Sequence, residues 1–394
     1  MGRCLGSRAP NPTRISTDPR LTLRIALTMN PPDIPLFKVF LSPEDKLMPA
    51  LRDCLYSGQI SEGAPVYAFE RKFGELVGSD QVLSCYSGTA ALHLALLLAG
   101  VKPGDAVIST AMTAEPTNMA IRHAGADVVW ADVDPANGNV TAESIAAAIT
   151  PATRALMVVH YGGVPAPMRQ IKAVADAHGI PVIEDAAHAL GASFGGHPLG
   201  AFSDYVMYSL QAIKHMTTVD GGMLTCRRSD DLERGRVLRW FGIDRHASRT
   251  EVDVREVGFK YHMNNVNATI GLVQLDHIRP VIDRHIENGR FFDTALLGVD
   301  GLAPARWDTE ASPSYWFYTV LADRADDLQQ HLAAHGIASS KSHKRNDEHS
   351  VFASSRRPLP GLDAFYSRML HIPCGWWVRD EDRERMVDVL KAGW

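Results

Sequence analysis

The sequence predicts an α/β protein in which a mostly parallel sheet is sandwiched by helices, with a smaller C-terminal α+β domain. From residue 83 to residue 226 short apolar strand patterns alternate with helical patterns, which is typical of parallel strands joined by helices and buried on both faces. After residue 258 this alternation stops, and a long helical pattern at 264–289 precedes an α+β remainder. This change in the sequence pattern indicates a second domain.

Each element follows from a local pattern. The run S-G-T-A-A-L-H-L-A-L-L-L-A-G is apolar nearly all round and predicts a buried helix from Ser87 to Gly100. Strands are predicted at 105–110, 126–133, 154–161, 180–185, 204–210, 222–226 and 316–322, and further helices at 117–123, 142–148, 168–179 and 327–337.

Length and composition fit a two-domain protein of a reducing compartment. A chain of 394 residues with 45% hydrophobic content can bury a large core. Residues 1–28 read as a disordered extension without the apolar region of a secretory signal, and Met29 is a candidate start. Residues 29–258 form the predicted large domain, and 259–394 the small one with its linking helix. The five cysteines are scattered and lack C-x-x-C spacing, so neither a disulfide framework nor a metal site is expected, and a cytoplasmic location fits.

Charge and hydropathy exclude two classes of partner. A net charge of −5 provides no broad positive field for nucleic acid or an anionic membrane. No apolar run approaches the roughly 20 residues of a membrane span. Small-molecule substrates are therefore expected.

Lys214 closes an almost uncharged run, Y-S-L-Q-A-I-K-H-M-T-T, just before a pair of glycines. Burial at the end of a strand lowers the pKa of a lysine amine because it disfavours the charged form. An amine with a lowered pKa can act as a nucleophile or a base, and Schiff-base chemistry follows from it. Taken alone, such a lysine more often reaches the surface or pairs with a neighbour such as Asp220.

Three companions favour the chemical interpretation. Asp185 ends the predicted strand I-P-V-I-E-D, where a carboxylate can keep a pyridine nitrogen protonated, while Glu184 points to the opposite face. The helix that begins at S-G-T offers the N–H groups of Gly88 and Thr89 to a phosphate. The hydroxyl of Ser209 can add another hydrogen bond. Together these residues indicate pyridoxal phosphate.

Four motifs in this order make the pattern specific: S-G-T-A-A-L, I-E-D-A-A-H-A-L-G-A, Y-S-L-Q-A-I-K-H-M-T-T-V-D-G-G-M and G-F-K-Y-H-M-N-N-V-N-A-T-I-G-L-V-Q-L. With them the chain, from about residue 34 to its C-terminus, resembles the DegT-type sugar aminotransferases, which are fold type I pyridoxal phosphate enzymes. The resemblance implies pyridoxal 5′-phosphate as the cofactor and a homodimer with shared active sites.

The resemblance also implies individual roles. Lys214 matches the lysine that binds the cofactor and moves the proton, Asp185 matches the partner of the pyridine nitrogen, and His188 matches the residue near the 3-hydroxyl. The positions that match phosphate-binding residues are Gly88, Thr89 and Ser209.

Two positions depart from the usual pattern of the family. Lys260 stands where an asparagine usually reaches the phosphate of the other subunit, and a lysine is an equally suitable partner for an anion. Ala114, in T-A-M-T-A-E-P-T-N, stands where an aromatic ring usually stacks on the cofactor. Either a neighbour such as Met112 covers the ring, or the pocket is open on that side for an unusual substrate.

Candidates for substrate contact lie in the polar run S-H-K-R-N-D-E-H-S. In relatives this region comes near the sugar, so His343, Arg345 and Asn346 are expected at the substrate, with a solvated surface loop as the alternative. His160 lies at the end of another predicted strand, facing the site, and has no assigned role.

The predicted activity is the transfer of an amino group from glutamate to a keto sugar linked to a nucleotide, in amino-sugar and polysaccharide biosynthesis. In a dehydratase branch of the same fold a histidine replaces the Schiff-base lysine, whereas here His215 stands beside Lys214. Three alternatives stay open: amination of a cyclitol ketone, a sugar dehydratase or lyase with the same cofactor, and a non-catalytic pyridoxal-binding regulator, for which Ala114 is the single hint.

Overall fold

A seven-stranded sheet forms the centre of the larger part of the molecule in the computed structural model, which describes residues 32–245, 247–248 and 250–394. The predicted extension and Met29 lie outside the described residues. The strands in chain order are β1 (Val82–Cys85), β2 (Ala106–Thr110), β3 (Asp127–Ala131), β4 (Thr153–Val159), β5 (Val182–Asp185), the short pair β6 (Ser193–Phe194) and β7 (His197–Pro198), β8 (Tyr205–Ser209) and β9 (Gly222–Cys226).

The order across this sheet is β1-β9-β8-β5-β4-β2-β3. Strands β3, β2, β4, β5 and β8 pair in parallel, whereas β9 runs antiparallel to both of its neighbours. Strand β8 shows that both faces are covered, since Tyr205 and Met207 belong to one core cluster and Val206 and Tyr208 to another. The predicted fold class, a mostly parallel sheet between helices, is confirmed.

The helices of the larger part include three that the sequence patterns do not predict: α1 and α2, which precede the first strand, and α7, which follows the last strand of the sheet. The helix predicted from Ser87 begins at Gly88, and the Ser87 hydroxyl caps it by accepting a hydrogen bond from the Ala90 N–H at 3.1 Å. The helices are α1 (Glu44–Tyr56), α2 (Ala64–Val77), α3 (Gly88–Leu98), α4 (Glu115–His123), α5 (Ala142–Ala146), α6 (Met168–His178) and α7 (Ser229–Leu238).

The long helical pattern at 264–289 forms two helices rather than one, α8 (Asn265–Leu275) and α9 (Ile278–Ala295). Pro280 lies in the first turn of α9, where it needs no N–H partner. In a continuous helix its ring would clash with the carbonyl of Asp276, so the chain breaks just before it.

A three-stranded antiparallel sheet, ordered β10-β12-β13, organises the C-terminal part around a third core cluster. Helix α8 packs against α1 and α2 of the larger part. The division at residue 258 stays a prediction. The remaining elements are β10 (Leu302–Pro304), β11 (Ala311–Ser312), β12 (Tyr318–Ala322), α10 (Ala325–Ala334), α11 (Pro360–Arg368), β13 (Met369–Ile372) and α12 (Asp380–Lys391).

Over the described part of the chain, no helix combines the length and the apolar character that crossing a bilayer requires.

Candidate active site

The site lies where parallel strands end, at the carboxyl edge of the central sheet, as is usual for ligand sites in such folds. Asp185 is the last residue of β5, and Ser209 is the last residue of β8, which pairs with β5. Lys214 follows in a turn, where its N–H donates to the carbonyl of Gln211 at 3.0 Å. The structure thus brings together the lysine and the two strand-end residues that the sequence singles out.

Asp185 is 3% exposed and has two hydrogen-bond donors. The hydroxyl of Thr117, in α4, donates to Oδ2 at 2.7 Å, and the N–H of Ala187 donates to Oδ1 at 3.0 Å. Burial raises the pKa of the carboxyl, while the two hydrogen bonds and the charge of Lys214 act in the opposite direction. The carboxylate is therefore held in one orientation inside the protein.

The amine of Lys214 has the lowered pKa that is expected of a Schiff-base lysine. Burial lowers its pKa to about 7, against the opposing effect of the Asp185 charge. Its Nζ lies 3.7 Å from the centroid of the Trp316 ring, within the range of a cation–π contact. Near neutral pH a large fraction of this amine is uncharged and able to act as a nucleophile.

Aromatic rings form a stacked wall beside the lysine. Trp316 stacks on His188 with centroids 3.9 Å apart and on Phe37 with centroids 4.5 Å apart. Burial and the charge of Lys214 lower the pKa of His188 well below its usual value. Because the N–H of Gly162 donates to Nδ1 of His188 at 3.4 Å, the ring proton lies on Nε2. His188 is therefore a neutral hydrogen-bond donor at this position.

The proposed phosphate end lies at the first turn of α3, which contains Gly88 and Thr89. A Cβ atom at Gly88 would lie 3.0 Å from Sδ of Met207 and 3.5 Å from Oγ of Ser209. At Gly222, the first residue of β9, a Cβ atom would lie 2.7 Å from the N atom of Gly88. Two glycines thus leave the backbone N–H groups and the Ser209 hydroxyl side by side.

The residues expected at the substrate, in the run S-H-K-R-N-D-E-H-S, differ in where they lie. His343 lies at the site, with its ring 3° from the plane of His188 and 5.5 Å between centroids. Its Nε2 is buried and has no hydrogen-bond partner among the described residues. Burial, and then the charge of Lys214, lowers its pKa to about 4. The described residues therefore leave the hydrogen-bonding capacity of this nitrogen unused.

Arg345 and Asn346 instead make internal contacts. The guanidinium of Arg345 pairs with Asp347 at 2.8 Å and also with Asp363. The side-chain amide of Asn346 is fully buried, and it donates to the carbonyl of Thr113 at 2.8 Å. These contacts favour structural roles for both residues.

Lys260 lies apart from this cluster in the single chain. It is exposed, forms an isolated bridge with Trp240 and borders an open pocket of about 610 Å³ together with Tyr86. Within the described residues, no hydrogen bond joins its side chain to Gly88 or Ser209.

His160 and Ala114 have other surroundings than the sequence suggests. His160 is fully buried and lies 2.6 Å from Oε2 of Glu184, so it belongs to the network on the opposite face of β5 from Asp185. Ala114 precedes α4, and Met112 is fully buried in the first core cluster. The stacked aromatic rings beside Lys214 belong to Trp316 and His188, and neither Ala114 nor Met112 is part of that stack.

Sequence reasoning missed Trp316 and Thr117. Trp316 reaches Lys214 across a large sequence separation, and no local pattern marks such a contact. Thr117 had a weak signal: together with Thr113 it follows β2, whose carboxyl end lies at the same edge of the sheet as Asp185.

These residues fit pyridoxal phosphate on their own chemistry. Lys214 is a buried amine with a lowered pKa, Asp185 is a buried carboxylate beside it, and the backbone of Gly88 lies so near Ser209 that a Cβ atom would be 3.5 Å from its hydroxyl oxygen. A parallel sheet carrying this set defines a fold type I pyridoxal phosphate-dependent transferase. The chain belongs to the DegT/DnrJ/EryC1/StrS aminotransferase family, whose model matches residues 42–391.

Solved structures and a curated relative agree with this assignment. The chain is 38% identical to the sugar aminotransferase CalS13 from Micromonospora echinospora, with a TM-score of 0.88 over 92% of this chain and 100% of that one. It is 38% identical to AtS13 from Actinomadura melliaura, with a TM-score of 0.89 over 93% and 100%. It is 30% identical to the spore coat polysaccharide biosynthesis protein SpsC of Bacillus subtilis (strain 168), over 86% of this chain and 92% of that protein. The protein is a pyridoxal phosphate-dependent aminotransferase.

Proposed function

We propose that the enzyme transfers the amino group of glutamate to the keto group of a sugar linked to a nucleotide, in amino-sugar biosynthesis. The observation that carries the proposal is the buried Lys214 amine, with a pKa of about 7, beside the carboxylate of Asp185. The sugar aminotransferase name of CalS13 supports a sugar substrate. When bound, pyridoxal phosphate supplies the electron sink for exchanging an amino group with a keto group.

In this proposal Lys214 holds the cofactor through its amine and then moves the proton between the reacting carbons. Asp185 keeps a proton on the ring nitrogen, since an adjacent carboxylate favours the charged form of a base. His188 donates its Nε2 proton toward the 3-hydroxyl oxygen. Because its pKa lies well below the usual value, it stays a neutral donor across the physiological range.

The phosphate is bound by backbone N–H groups at the start of α3, by the Ser209 hydroxyl and by Lys260 from a second copy of the chain. The N-terminus of a helix favours an anion, and Gly88 and Thr89 form that first turn. Lys260 is exposed and borders the pocket of Tyr86, two residues before Gly88. The proposed assembly is a homodimer with two shared sites.

His343 is the proposed contact to the keto substrate. Its buried Nε2 has no partner in the part of the chain that the structure describes, and its ring lies parallel to that of His188. A buried nitrogen without a partner is costly unless a ligand satisfies it. Arg345 and Asn346 are set aside because their polar atoms already have partners.

A cytoplasmic location is part of the proposal. Four cysteines are described as free thiols, Cys54, Cys85, Cys226 and Cys374, and all are buried. Free thiols are usual in a reducing compartment.

The test has two stages. Purified enzyme loaded with cofactor is first mixed with glutamate alone, and we expect one 2-oxoglutarate per bound cofactor; no release of 2-oxoglutarate would contradict glutamate as the donor. Keto-sugar nucleotides and cyclitol ketones are then added in parallel. We expect amination of a keto-sugar nucleotide, and exclusive amination of cyclitol ketones would overturn the proposed substrate class.

A further inference from the structure

Two buried threonine hydroxyls connect Asp185 with the loop that follows β2. The Thr117 hydroxyl lies 2.7 Å from Oδ2 of Asp185, and the Thr113 hydroxyl lies 2.9 Å from that of Thr117. Thr113 is 1% exposed and Thr117 is 2% exposed. Solvent therefore does not compete for these hydroxyls.

The direction of these two hydrogen bonds follows from the number of hydrogens that each hydroxyl carries. A threonine hydroxyl has one hydrogen to donate and two lone pairs to accept with. The carboxylate of Asp185 can only accept, so the hydrogen of Thr117 is directed to Asp185. The oxygen of Thr117 then accepts the hydrogen of Thr113. Both hydroxyls are thus oriented toward the carboxylate.

The loop that carries Thr113 is fixed from the C-terminal part of the chain. The side-chain amide of Asn346 donates to the carbonyl of Thr113 at 2.8 Å, and its backbone N–H donates to the carbonyl of Ala111 at 2.8 Å. Asn118, next to Thr117 in α4, donates to Oδ1 of Asn346 at 2.9 Å. These bonds hold both threonines relative to the end of β5.

We propose that Thr113 and Thr117 form a directed hydroxyl chain that positions Asp185 and keeps it in its carboxylate form. This inference rests on the proposed function, in which Asp185 faces the ring nitrogen of the cofactor. Both threonines are positioning residues, since they act through Asp185.

The other groups that act on Asp185 do not replace this chain. They are the N–H of Ala187, the charge of Lys214 and, from the opposite face of β5, His160. Ala187 binds the other carboxylate oxygen. The charge of Lys214 is lost as pH rises through about 7, and the amine is consumed when it bonds to the cofactor. Hydroxyl donation by Thr117 is independent of pH and favours the charged form of the acid.

The experiment compares Thr117→Val, Thr117→Ser and Thr113→Val with a matched control. Valine keeps the volume of threonine and removes the hydroxyl, whereas serine keeps the hydroxyl. The control is Thr269→Val, because Thr269 is a buried helical threonine whose hydroxyl donates to the carbonyl of Asn265 in α8.

Two measurements report on Asp185, the first on its own carboxyl group and the second on the ring nitrogen that it is proposed to face. The first is the pH titration of its carboxyl ¹³C signal in the cofactor-free protein, assigned by its absence in Asp185→Asn. The second is the ¹⁵N chemical shift of the ring nitrogen in enzyme loaded with labelled pyridoxal phosphate. We expect Thr117→Val to raise the titration midpoint by about one pH unit, the size expected for one hydrogen bond to a charged group. We also expect it to move the ring ¹⁵N shift toward the neutral form.

Thr113→Val is expected to shift the midpoint in the same direction by less, while Thr117→Ser restores both signals and Thr269→Val leaves them unchanged. An unaltered titration midpoint of Asp185 in both Thr117→Val and Thr113→Val would overturn the proposal. An equal shift in Thr269→Val would overturn it too. If Asp185→Asn itself left the ring ¹⁵N shift unchanged, the proposed role of Asp185 would fail first. The two failures are therefore distinguishable.

Discussion

The amine of Lys214 lies over the indole of Trp316, 3.7 Å from the ring centroid. The indole is fixed in turn, because its Nε1–H donates to the carbonyl of Ile213 at 2.8 Å and its ring stacks on His188. Trp316 is therefore placed to hold the lysine whenever the amine is not bonded to the cofactor.

Replacing Trp316 should slow turnover while the cofactor stays bound. A desolvated cation–π contact is worth about 2 kcal/mol, so we expect Trp316→Leu to lower kcat by at least about tenfold and Trp316→Phe to lower it much less. Steady-state kinetics and cofactor absorbance measure both effects. Trp307→Leu is the control, since Trp307 packs against Tyr315 instead. An equal loss of kcat in the control would contradict a specific role for Trp316.

The capture of cofactor by the cofactor-free protein should depend on the ionisation of Lys214. Only the neutral amine is a nucleophile, so the rate should rise with pH through a midpoint of about 7, the pKa of Lys214, and level off at higher pH. Stopped-flow absorbance over pH 5 to 10 measures this rate, and Lys214→Ala reports the pH dependence of non-covalent binding. Borohydride should fix the cofactor to the wild type and not to the variant. A midpoint near pH 10, as for an ordinary lysine, would be the contrary result.

Asp185→Asn should keep cofactor binding and lose turnover. The amide cannot stabilise a positive charge on the ring nitrogen, and the loss of one electrostatic partner at a reacting centre costs on the order of a hundredfold or more in kcat. Single-turnover rates with glutamate and the dissociation constant of the cofactor separate the two effects. Near-normal turnover would rule out the proposed role of this carboxylate.

His343 and Arg345 should respond differently to replacement. We expect His343→Asn to raise KM for the keto substrate about tenfold while the reaction with glutamate is unchanged, as for the loss of one buried hydrogen bond. Arg345→Gln should lower the melting temperature without changing KM, because its partners are Asp347 and Asp363. A higher KM only in the Arg345 variant would reverse the assignment.

A mixing experiment tests the shared site. If the proposed site is right, Lys214→Ala chains should not bond to the cofactor, and Lys260→Ala chains should bind it more weakly. If Lys260 acts in the site of the other copy, each mixed dimer contains one intact site, so tight cofactor binding should reappear after mixing and refolding. In the control experiment, Lys72→Ala chains take the place of Lys260→Ala chains in the mixture, because Lys72 pairs with Asp276 on the surface. No recovery on mixing would mean that Lys260 serves its own chain or has no role at the phosphate.

The sequence predicts the elements whose signal is local. Asp185 and Ser209 stand at the ends of apolar strands, Lys214 follows five residues after Ser209, and parallel strands bring such ends to one edge. Trp316 and His343 come from distant segments, and their distance from Lys214 depends on how the C-terminal part packs. The break before Pro280 was readable from the proline alone, whereas the internal pairing of Arg345 depends on Asp363, which only the folded chain brings near.

The close approach of Gly222 to Gly88 limits how this enzyme can be redesigned. A methyl group at residue 222 would lie 2.7 Å from the N atom of Gly88, so saturation mutagenesis there should return glycine alone. Near Trp316, a Cβ atom at Gly163 would lie 2.9 Å from the backbone N atom of that residue, whereas the buried Nε2 of His343 has no partner among the described residues. Directed evolution toward new acceptors should therefore collect its useful changes around His343 and leave Gly88 and Gly222 unchanged.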